Sequence, residues 1–526
     1  MTRPTLTRRA AFTLAGATAL ARPAAAQGRH GVLRYALTTM PNVIDPHFSA
    51  GFQVRDITYA VFDTLFAVDD QYRPTPQMVD RWTVSEDGLT WRFTLRPGLR
   101  WHDGPPVTAE DCVLSIRRWS ARDAMGSLLR AATGSMNVLD DSSFEIVLHQ
   151  PFGFVLDALA KPGSNVPAML PKRLASLPPT QPIKELIGSG PFRFVPGESM
   201  ADQKMVFTRN ADYVPRAEKP VWASGGKVVK IDRLEIVAIP DPATQLNALL
   251  AGEVDYIERV QADLMPLLKS GAGRRLRTIH QQAVQIVIRI NHLQPPFDNL
   301  QARRALLLAL SQQDMVDATV GTPELGHVTP AIFGSNGPYA SEAGAPGRPD
   351  LAAARQMLTA SGVDLSRPVV QLLVSNDATV TPAGQVIGKT LQALGFKLDQ
   401  QAVDFATFAQ RRLKMGPVAE GGWNIGNSTI GTTELATPLV SQPVIASGRA
   451  ALWGWPEDAE IERLRAAFAR ETDAERRRDL ARAIQTRVYE TVAYLPGGEV
   501  RTTSAVGDWV SGAIDAPMTV FWNAAV

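Results

Sequence analysis

The alternation of apolar and polar residues predicts a chain that mixes strands with helices. In residues 89–95 every second side chain is apolar, which is typical of a half-buried strand. Residues 144–148 alternate in a similar way, and residues 283–291 form a strongly β-branched run. Predicted strands and helices follow one another without a repeating period. The pattern therefore favours an α/β architecture.

Helix boundaries are marked by capping residues. Asp241 is the expected N-cap of a helix that ends at Gly252, and Asp298 is the expected N-cap of a helix through Ala309. A capping box is expected to open another helix at Thr108. Further helices are predicted near 350–360, 382–394, 457–470 and 473–490.

The first 26 residues differ in kind from the rest of the chain. Residues 3–9 are basic, an apolar run of about a dozen residues follows, and small residues up to Ala26 offer a cleavage site. The run is too short for a stable membrane span. We expect a secretory signal over 1–26 that is cleaved after Ala26, so the protein is exported to the periplasm. The pair Arg8-Arg9 resembles a twin-arginine signal, and a Sec signal is the alternative.

The composition of the chain argues against nucleic acid as a partner and against an internal disulfide. The chain has 526 residues, 45% hydrophobic and 20% charged, which is ordinary for globular proteins but too long for one core. The segment 1–26 carries four arginines and no acid, so the formal net charge of +2 becomes −2 without it. Nucleic acid is therefore not an expected partner. The single cysteine, Cys112, excludes an internal disulfide.

Motifs for catalysis or metal binding are missing from the sequence. There is no Gly-x-Ser-x-Gly elbow, no His-Glu-x-x-His and no phosphate-binding loop. The histidines are isolated, whereas a zinc site needs three or four convergent ligands. His47 and His102 both lie in turn sequences and are expected to be structural. We expect no catalytic residue, no metal and no cofactor.

Several short segments resemble the family 5 extracellular solute-binding proteins, which serve ATP-driven importers. Residues 85–112 (SEDGLTWRFTLRPGLRWHDGPPVTAEDC) carry the longest match. Other segments match in the order of that family, and together they cover essentially the whole mature chain. They are Asp45-Pro46, 61–65 (VFDTL), 188–192 (GSGPF), 249–255 (LLAGEVD), 295–298 (PPFD) and Trp522-Asn523.

The resemblance implies an α/β periplasmic-binding-protein fold with two lobes joined by a hinge. It is the type II-like, large cluster C form, in which an extra subdomain is inserted in lobe I. The implied limits are lobe I over 28–280 with its subdomain at about 60–187, lobe II over 281–491, and a return to lobe I over 492–526. The solute would lie between the lobes and be enclosed by hinge closure.

The same resemblance implies a receptor of an ABC importer that captures a peptide or a peptide-sized solute. The partners would be this ligand and the permease subunits at the membrane, and the receptor itself would be a monomer. A receptor for a non-peptide solute, such as an opine, a glycoside or a metal chelate, is the alternative. An extracytoplasmic hydrolase is a second alternative, which no nucleophile-base motif supports.

The stretch 421–430 (GGWNIGNSTI) supplies the first candidate ligand contacts, which are Trp423, Asn424 and Asn427. The corresponding loop of the family commonly carries a tryptophan followed by an aspartate that pairs with a peptide's ammonium group. Here the acid is missing, and Glu420, Glu434 or Asp377 are possible substitutes. A cleft without charged anchors would disfavour a free dipeptide, because an unpaired buried charge is costly.

The remaining candidates come from two other segments. Met40 and Asn42 follow the first strand, where lobe I of the family contacts ligand, and Asn376 lies after a lobe II strand. Trp453 and Trp455 are expected to pack inside lobe II instead.

Overall fold

A computed structural model describes residues 31–261, 264–270, 276–375 and 377–526. The predicted signal segment 1–26 and Asn376 lie outside the described residues. No helix in the described part is both long and apolar enough to cross a membrane.

The strands are β1 (Val32–Leu37), β2 (Phe66–Val68), β3 (Pro74–Pro76), β4 (Val79–Val84), β5 (Thr90–Leu95), β6 (Thr133–Asp140), β7 (Ser143–Leu148), β8 (Phe192–Phe194), β9 (Lys204–Arg209), β10 (Arg233–Ala238), β11 (Tyr256–Val260), β12 (Leu276–Ile290), β13 (Gly326–His327), β14 (Pro368–Val374), β15 (Lys397–Val403), β16 (Ile425–Gly431) and β17 (Leu495–Gly507).

The helices are α1 (Phe52–Val61), α2 (Ala109–Ser120), α3 (Ala124–Ala132), α4 (Val155–Leu159), α5 (Lys172–Ala175), α6 (Pro242–Ala251), α7 (Met265–Ser270), α8 (Leu300–Ala309), α9 (Gln312–Val320), α10 (Leu351–Ser361), α11 (Val380–Ala393), α12 (Phe405–Arg411), α13 (Thr432–Leu435), α14 (Ala459–Arg470) and α15 (Ala474–Thr491).

Most of the predicted elements are confirmed. The alternating segments became β5 and β7, and the capping box at Thr108 is formed at the start of α2. Asp241 caps α6, and Gly252 ends it in a left-handed conformation. The N-cap predicted at Asp298 was wrong by one residue, because the side chain of Asn299 accepts the hydrogen bonds from the first turn of α8.

One large sheet runs through the molecule in the order β15-β14-β16-β12-β17-β11-β1-β10-β9-β8. We call the first half the strands β11, β1, β10, β9 and β8 with the rest of segments 31–261 and 508–526. We call the second half the strands β16, β14 and β15 with the rest of segment 284–500. A separate four-stranded sheet, β4-β5-β7-β6, packs with α2 and α3 in the segment that follows α1. This small sheet lies within the predicted inserted subdomain.

The sheet narrows to two strands between its halves. Strand β16 pairs with β12 as far as Gly431 opposite Val284, and β11 pairs with β17 only from Thr503 onwards. Between these points, at residues 281–283 and 501–502, only β12 and β17 continue the sheet; we call this the waist. The β12–β17 register shifts there by one residue, which is the signature of a β-bulge. The lobe limits themselves stay a prediction.

The register between β12 and β17 shifts a second time, between the pairs Gln285–Glu499 and Val287–Pro496, in the stretch that contains Gly498. Gly498 has a φ of +91°, and a Cβ on its neighbour Gly497 would lie 2.7 Å from the side chain of Ile286. Glycine is therefore required by the backbone conformation at one position and by close packing at the other. At the start of β17, Leu495 and Pro496 pair with Ile288 and Val287 of β12.

Two buried ion pairs secure the first half. Arg118 of α2 donates two hydrogen bonds to the Asp45 carboxylate, at 2.7 and 3.1 Å. Lys227 pairs with Asp63 at 2.8 Å, and both side chains are fully buried. Burial opposes the charge of Asp45, but the hydrogen bonds from Arg118 and from the backbone of Ile183 outweigh it and hold the pKa of Asp45 below its usual value.

Arg118→Met is expected to lower the free energy of unfolding by roughly 3–5 kcal/mol at pH 7, because it leaves the Asp45 carboxylate buried without its partner. The stabilisation is present above the unfolded pKa and is lost as the pH falls through the lowered pKa of Asp45. Urea unfolding of the purified protein measures the change. Arg130→Met, at an exposed arginine of α3, is the control and should stay within about 0.5 kcal/mol of wild type.

Candidate functional site

Trp423 lies just before β16 and is enclosed within the second half. Its side chain is 0% exposed, and its ring centroid lies 5.4 Å from that of Trp453 and 5.8 Å from that of Trp455. Its indole N–H donates to the Arg412 carbonyl at 3.1 Å. The packing role predicted for Trp453 and Trp455 is confirmed, and Trp423 belongs to the same cluster.

The two asparagines of this stretch also bond to the chain around them. Asn424 accepts a hydrogen bond from the Val370 N–H and donates one to the Pro295 carbonyl, both at 2.8 Å. Asn427 donates to the Val380 carbonyl at 2.8 Å. Both amides are fully buried, so each ties β16 to a neighbouring segment. Their assignment as ligand contacts, like that of Trp423, stays a prediction.

Met40 and Asn42 lie in a different place. They line an open cavity of about 550 Å³ on the first half, together with residues from the segments 182–186 and 194–205. Trp423, by contrast, stands eight residues before Gly431 at the waist, which at about 3.3 Å per residue is roughly 25 Å along the strand. The described candidates therefore do not line one common site.

A cavity of about 440 Å³ does lie between the two halves, directly over the waist; we call it the chamber. The first half contributes the turn between β2 and β3, the turn around Trp222 and the C-terminal segment. Strands β12 and β17 contribute one residue each, and the second half contributes the rest. The lining residues are Asp70, Tyr72, Trp222, Ala283, Asn336, Thr432, Arg501, Asp515, Ala516 and Pro517.

Two aromatic residues of the chamber have left-handed backbones. Tyr72 has a φ of 59° and Trp222 a φ of 50°, and their rings meet edge to face with centroids 5.3 Å apart. Bulky side chains rarely adopt this conformation, and strain of this kind is concentrated at functional sites. The Asp69 carboxylate fixes the tight turn at Tyr72 by accepting hydrogen bonds from the N–H groups of Gln71 and Arg73 at 2.9 and 3.0 Å.

Tyr72 lines the chamber from the first half, and Thr432, which begins α13 in the second half, lines it as well. Burial raises the pKa of Tyr72 above its usual value, and the charges of Glu434 and Glu499 add to the shift. The phenol is therefore neutral at physiological pH and acts as a hydrogen-bonding group.

Charged side chains of both signs line the chamber. Arg501 lies on β17 at the waist and is exposed, and its side chain has no hydrogen bond or ion pair to any group that the structure describes. Asp70 and Asp515 lie on the first half and are also exposed. A free guanidinium is well suited to a carboxylate, and a carboxylate to an ammonium group. The chamber therefore offers complementary groups for a solute that carries both charges.

A smaller ionic compartment adjoins the chamber at Pro517. In it Arg55 and Asp56 form a buried pair at 2.9 Å, close to Glu258. Burial raises the pKa of Glu258 to about 7, the field of Asp56 adds to the rise, and Arg259 opposes it. Glu258 is therefore the described carboxyl beside the chamber whose charge changes near neutral pH.

The two halves touch again on the far side of the chamber from the waist. Glu434 accepts hydrogen bonds from the N–H and hydroxyl of Ser164, at 3.1 and 3.3 Å. The rings of Phe154 and Phe468 stack with centroids 4.9 Å apart. The Gly153 N–H donates to the Ala469 carbonyl, and the Arg477 guanidinium donates to the Gly153 carbonyl. The halves are therefore joined at these contacts as well as at the waist.

The histidines and the cysteine take no part in the chamber. His47 shares a hydrogen bond with the Ala168 carbonyl at 2.8 Å and His102 one with the Gly190 carbonyl at 3.0 Å, and burial lowers the pKa of each to about 4. Both are structural, as expected from their turns. In the described ranges no three His, Cys, Asp or Glu side chains converge as a metal site requires.

The sequence analysis missed most of the chamber residues because their segments meet only in the fold. For Arg501 the sequence held one indication of a role in the site. It is the only charged residue between Glu499 and Asp508 in the predicted return segment. Glu434 was named as a possible substitute for the missing acid, and the structure places it at the inter-half contact. Tyr72 and Trp222 carried no signal, because a positive φ at an aromatic residue is not visible in sequence.

Comparisons with known proteins agree with this architecture. Over residues 73–432 the chain matches the family described as "Bacterial extracellular solute-binding proteins, family 5 Middle". It is 33% identical to "Probable peptide ABC transporter periplasmic-binding protein y4tO" of Sinorhizobium fredii, over 99% of each chain.

Two solved structures show the same fold. The substrate-binding protein CtaP of Listeria monocytogenes superposes with a TM-score of 0.77 at 20% identity, over 94% of this chain and 99% of CtaP. DppA of Helicobacter pylori, in complex with the peptide STSA, gives 0.74 at 18% identity, over 94% and 98%. Both are periplasmic-type two-domain binding proteins. The chain belongs to the family 5 extracellular solute-binding proteins, which are transport receptors and not enzymes.

Proposed function

We propose that this protein is the exported receptor of an ABC importer and that it captures a short peptide in the chamber. The relative from Sinorhizobium fredii bears the name of a peptide-binding component, and the fold neighbour DppA holds a peptide. Permease subunits are the implied membrane partner, and the receptor acts as a monomer in the periplasm after cleavage behind Ala26. The waist serves as the hinge between lobe I (28–280 and the return segment 492–526, with the subdomain 60–187) and lobe II (281–491).

The observation that carries the proposal is the Arg501 guanidinium at the floor of the chamber, which has no partner among the groups that the structure describes. A zwitterionic peptide presents one carboxylate and one ammonium group, and the chamber lining combines Arg501 with acids of the first half, among them Asp70. The Tyr72 and Trp222 rings supply apolar faces for the part between the charges. The charged anchors that seemed missing from lobe II are thus supplied by β17 and the β2–β3 turn.

Size supports the same class of solute. At about 30 Å³ per heavy atom, the share of one water in the liquid, 440 Å³ holds about 15 heavy atoms. Tri-alanine is of this size. Binding pockets for small ligands span about 300–1,000 Å³, so the chamber lies in the usual range.

Arg501→Met is expected to weaken binding of tri-alanine by about 10- to 100-fold, since a hydrogen bond to a charged group contributes roughly 1.5–3 kcal/mol. In wild type, amidating the peptide's C-terminus should cause a similar loss. In Arg501→Met the same amidation should have little further effect, because the partner of the carboxylate is already gone. Isothermal titration calorimetry on both proteins with both peptides completes the cycle.

The exposed Arg367 provides the matched control, and Arg367→Met should bind both peptides as wild type does. An amidation penalty that is equal in wild type and in Arg501→Met would place the carboxylate elsewhere. If tri-alanine does not bind wild type at millimolar concentration, the proposal of a short peptide is overturned.

Trp423→Ala tests whether the stretch before β16 holds ligand. Because the ring is enclosed by Trp453 and Trp455, its removal should lower the free energy of unfolding by about 3–5 kcal/mol. Urea unfolding and tri-alanine titration are measured on the same preparation, with the half-exposed Trp82→Ala as the comparison of smaller effect. Unchanged stability together with lost binding would instead place Trp423 in the ligand site.

Gly153→Leu tests closure. A Cβ at Gly153 would lie 2.2 Å from the Glu471 carbonyl oxygen, so a side chain there holds the halves apart. Affinity for tri-alanine should fall about tenfold or more, since 1.4 kcal/mol in the closure equilibrium changes affinity tenfold. Small-angle scattering should show a larger radius in the presence of peptide than for wild type. Gly197→Leu, which meets nothing within 4 Å, is the control, and equal affinity of both variants would contradict the closure role.

A further inference from the structure

A second, smaller compartment lies beside the chamber, between the inserted subdomain and the second half. Its volume is about 90 Å³, and Tyr72 belongs to the lining of both cavities. Thr432 lines the chamber and the next residue, Thr433, lines the compartment. Tyr72 and the neighbouring residues Thr432 and Thr433 therefore lie between the two cavities.

The walls of this apolar compartment are mainly hydrocarbon and come from both sides of the seam. Val68, Met125 and Phe154 contribute from the first side, and Tyr339, Ala436 and Val440 from the second. The cation at its edge is already engaged, because Lys161 donates to the Asp123 carboxylate at 2.7 Å. The polar lining of the compartment is small and includes the Asp157 carboxyl, whose pKa burial raises against the opposing charge of Arg477. The compartment thus provides mainly apolar contact.

We propose that the apolar compartment is a side-chain subsite that selects solutes with a short branched aliphatic group, next to the part held in the chamber. This inference rests on the proposed function, since it concerns the peptide bound there. It adds a preference that the charged anchors of the chamber do not determine. A side chain reaches the subsite past Tyr72 and Thr432.

The volume sets the size of the preferred group. At about 30 Å³ per heavy atom, 90 Å³ accommodates about three heavy atoms, which corresponds to the isopropyl group of valine and nearly to the isobutyl group of leucine. A benzene ring occupies a cavity of about 150 Å³, so phenylalanine does not fit. Each methylene buried in an apolar site raises affinity about fourfold, so valine should exceed alanine by roughly tenfold.

The experiment uses tri-alanine and the nine tripeptides in which one alanine is replaced by valine, leucine or phenylalanine. Affinities of wild type are measured by calorimetry. At one position, valine or leucine should bind about tenfold tighter than alanine, and phenylalanine should show no such gain. Equal affinities of alanine, valine and leucine at every position would overturn the subsite and leave the proposed function intact. If none of the ten peptides binds, the proposed function fails and the subsite with it.

Two variants locate the preference in this compartment. Ala436→Leu places three more carbon atoms in the space and should abolish the gain from valine and leucine while tri-alanine binds as before. Val440→Ala enlarges the space and should let phenylalanine bind better than alanine at the same position. Thermal melting verifies that each variant is folded, and the exposed Ala352→Leu on α10 is the control.

An unchanged valine preference in Ala436→Leu would contradict the assignment. So would a phenylalanine affinity in Val440→Ala that stays at the wild-type level. Since one variant fills the space and the other empties it, a failure of either one to fold leaves the other as a complete test.

Discussion

The antiparallel pairing of β12 with β17 is the constraint on which the rest of the molecule depends. These two strands alone carry the sheet across the waist, so every contact between the halves is arranged around them. Each half has additional strands to share its backbone hydrogen bonds, whereas the waist has only one ladder and a bulge within it. A two-stranded connection bends more easily than a wide sheet. The proposed hinge therefore lies in the narrowest part of the sheet, directly beneath the chamber.

Charged residues are arranged differently in the body of the first half and at the chamber. In the body of the first half, Asp45 with Arg118 and Asp63 with Lys227 are buried and satisfied by direct pairing, which holds the surrounding loops in place. In the chamber, Arg501 has no partner among the described residues and Asp70 is exposed. Groups that stabilise the walls are thus neutralised within the protein, whereas the charges at the chamber are exposed. This separation supports the proposed binding of a charged solute there.

Contacts between the halves lie on one side of the chamber. Glu434 accepts hydrogen bonds from Ser164, and the Phe154 and Phe468 rings stack. Because the subdomain supplies Ser164 and Phe154, its insertion in the first half extends the seam beyond the waist. The apolar compartment is enclosed by the same contacts.

The sequence by itself determined the α/β class, the family, most helix boundaries and the structural role of His47 and His102, because these depend on local periodicity, on capping and on motifs in one segment. It also indicated a strand at 283–291, which lies largely in β12. Only the tertiary structure decided the shape of the candidate site, where Tyr72, Trp222, Thr432 and Arg501 come from segments far apart in the chain. It likewise enclosed Trp423, since Trp453 and Trp455 arrive from a later segment. Local pattern encodes elements, whereas a cavity between halves is a property of how distant elements pack.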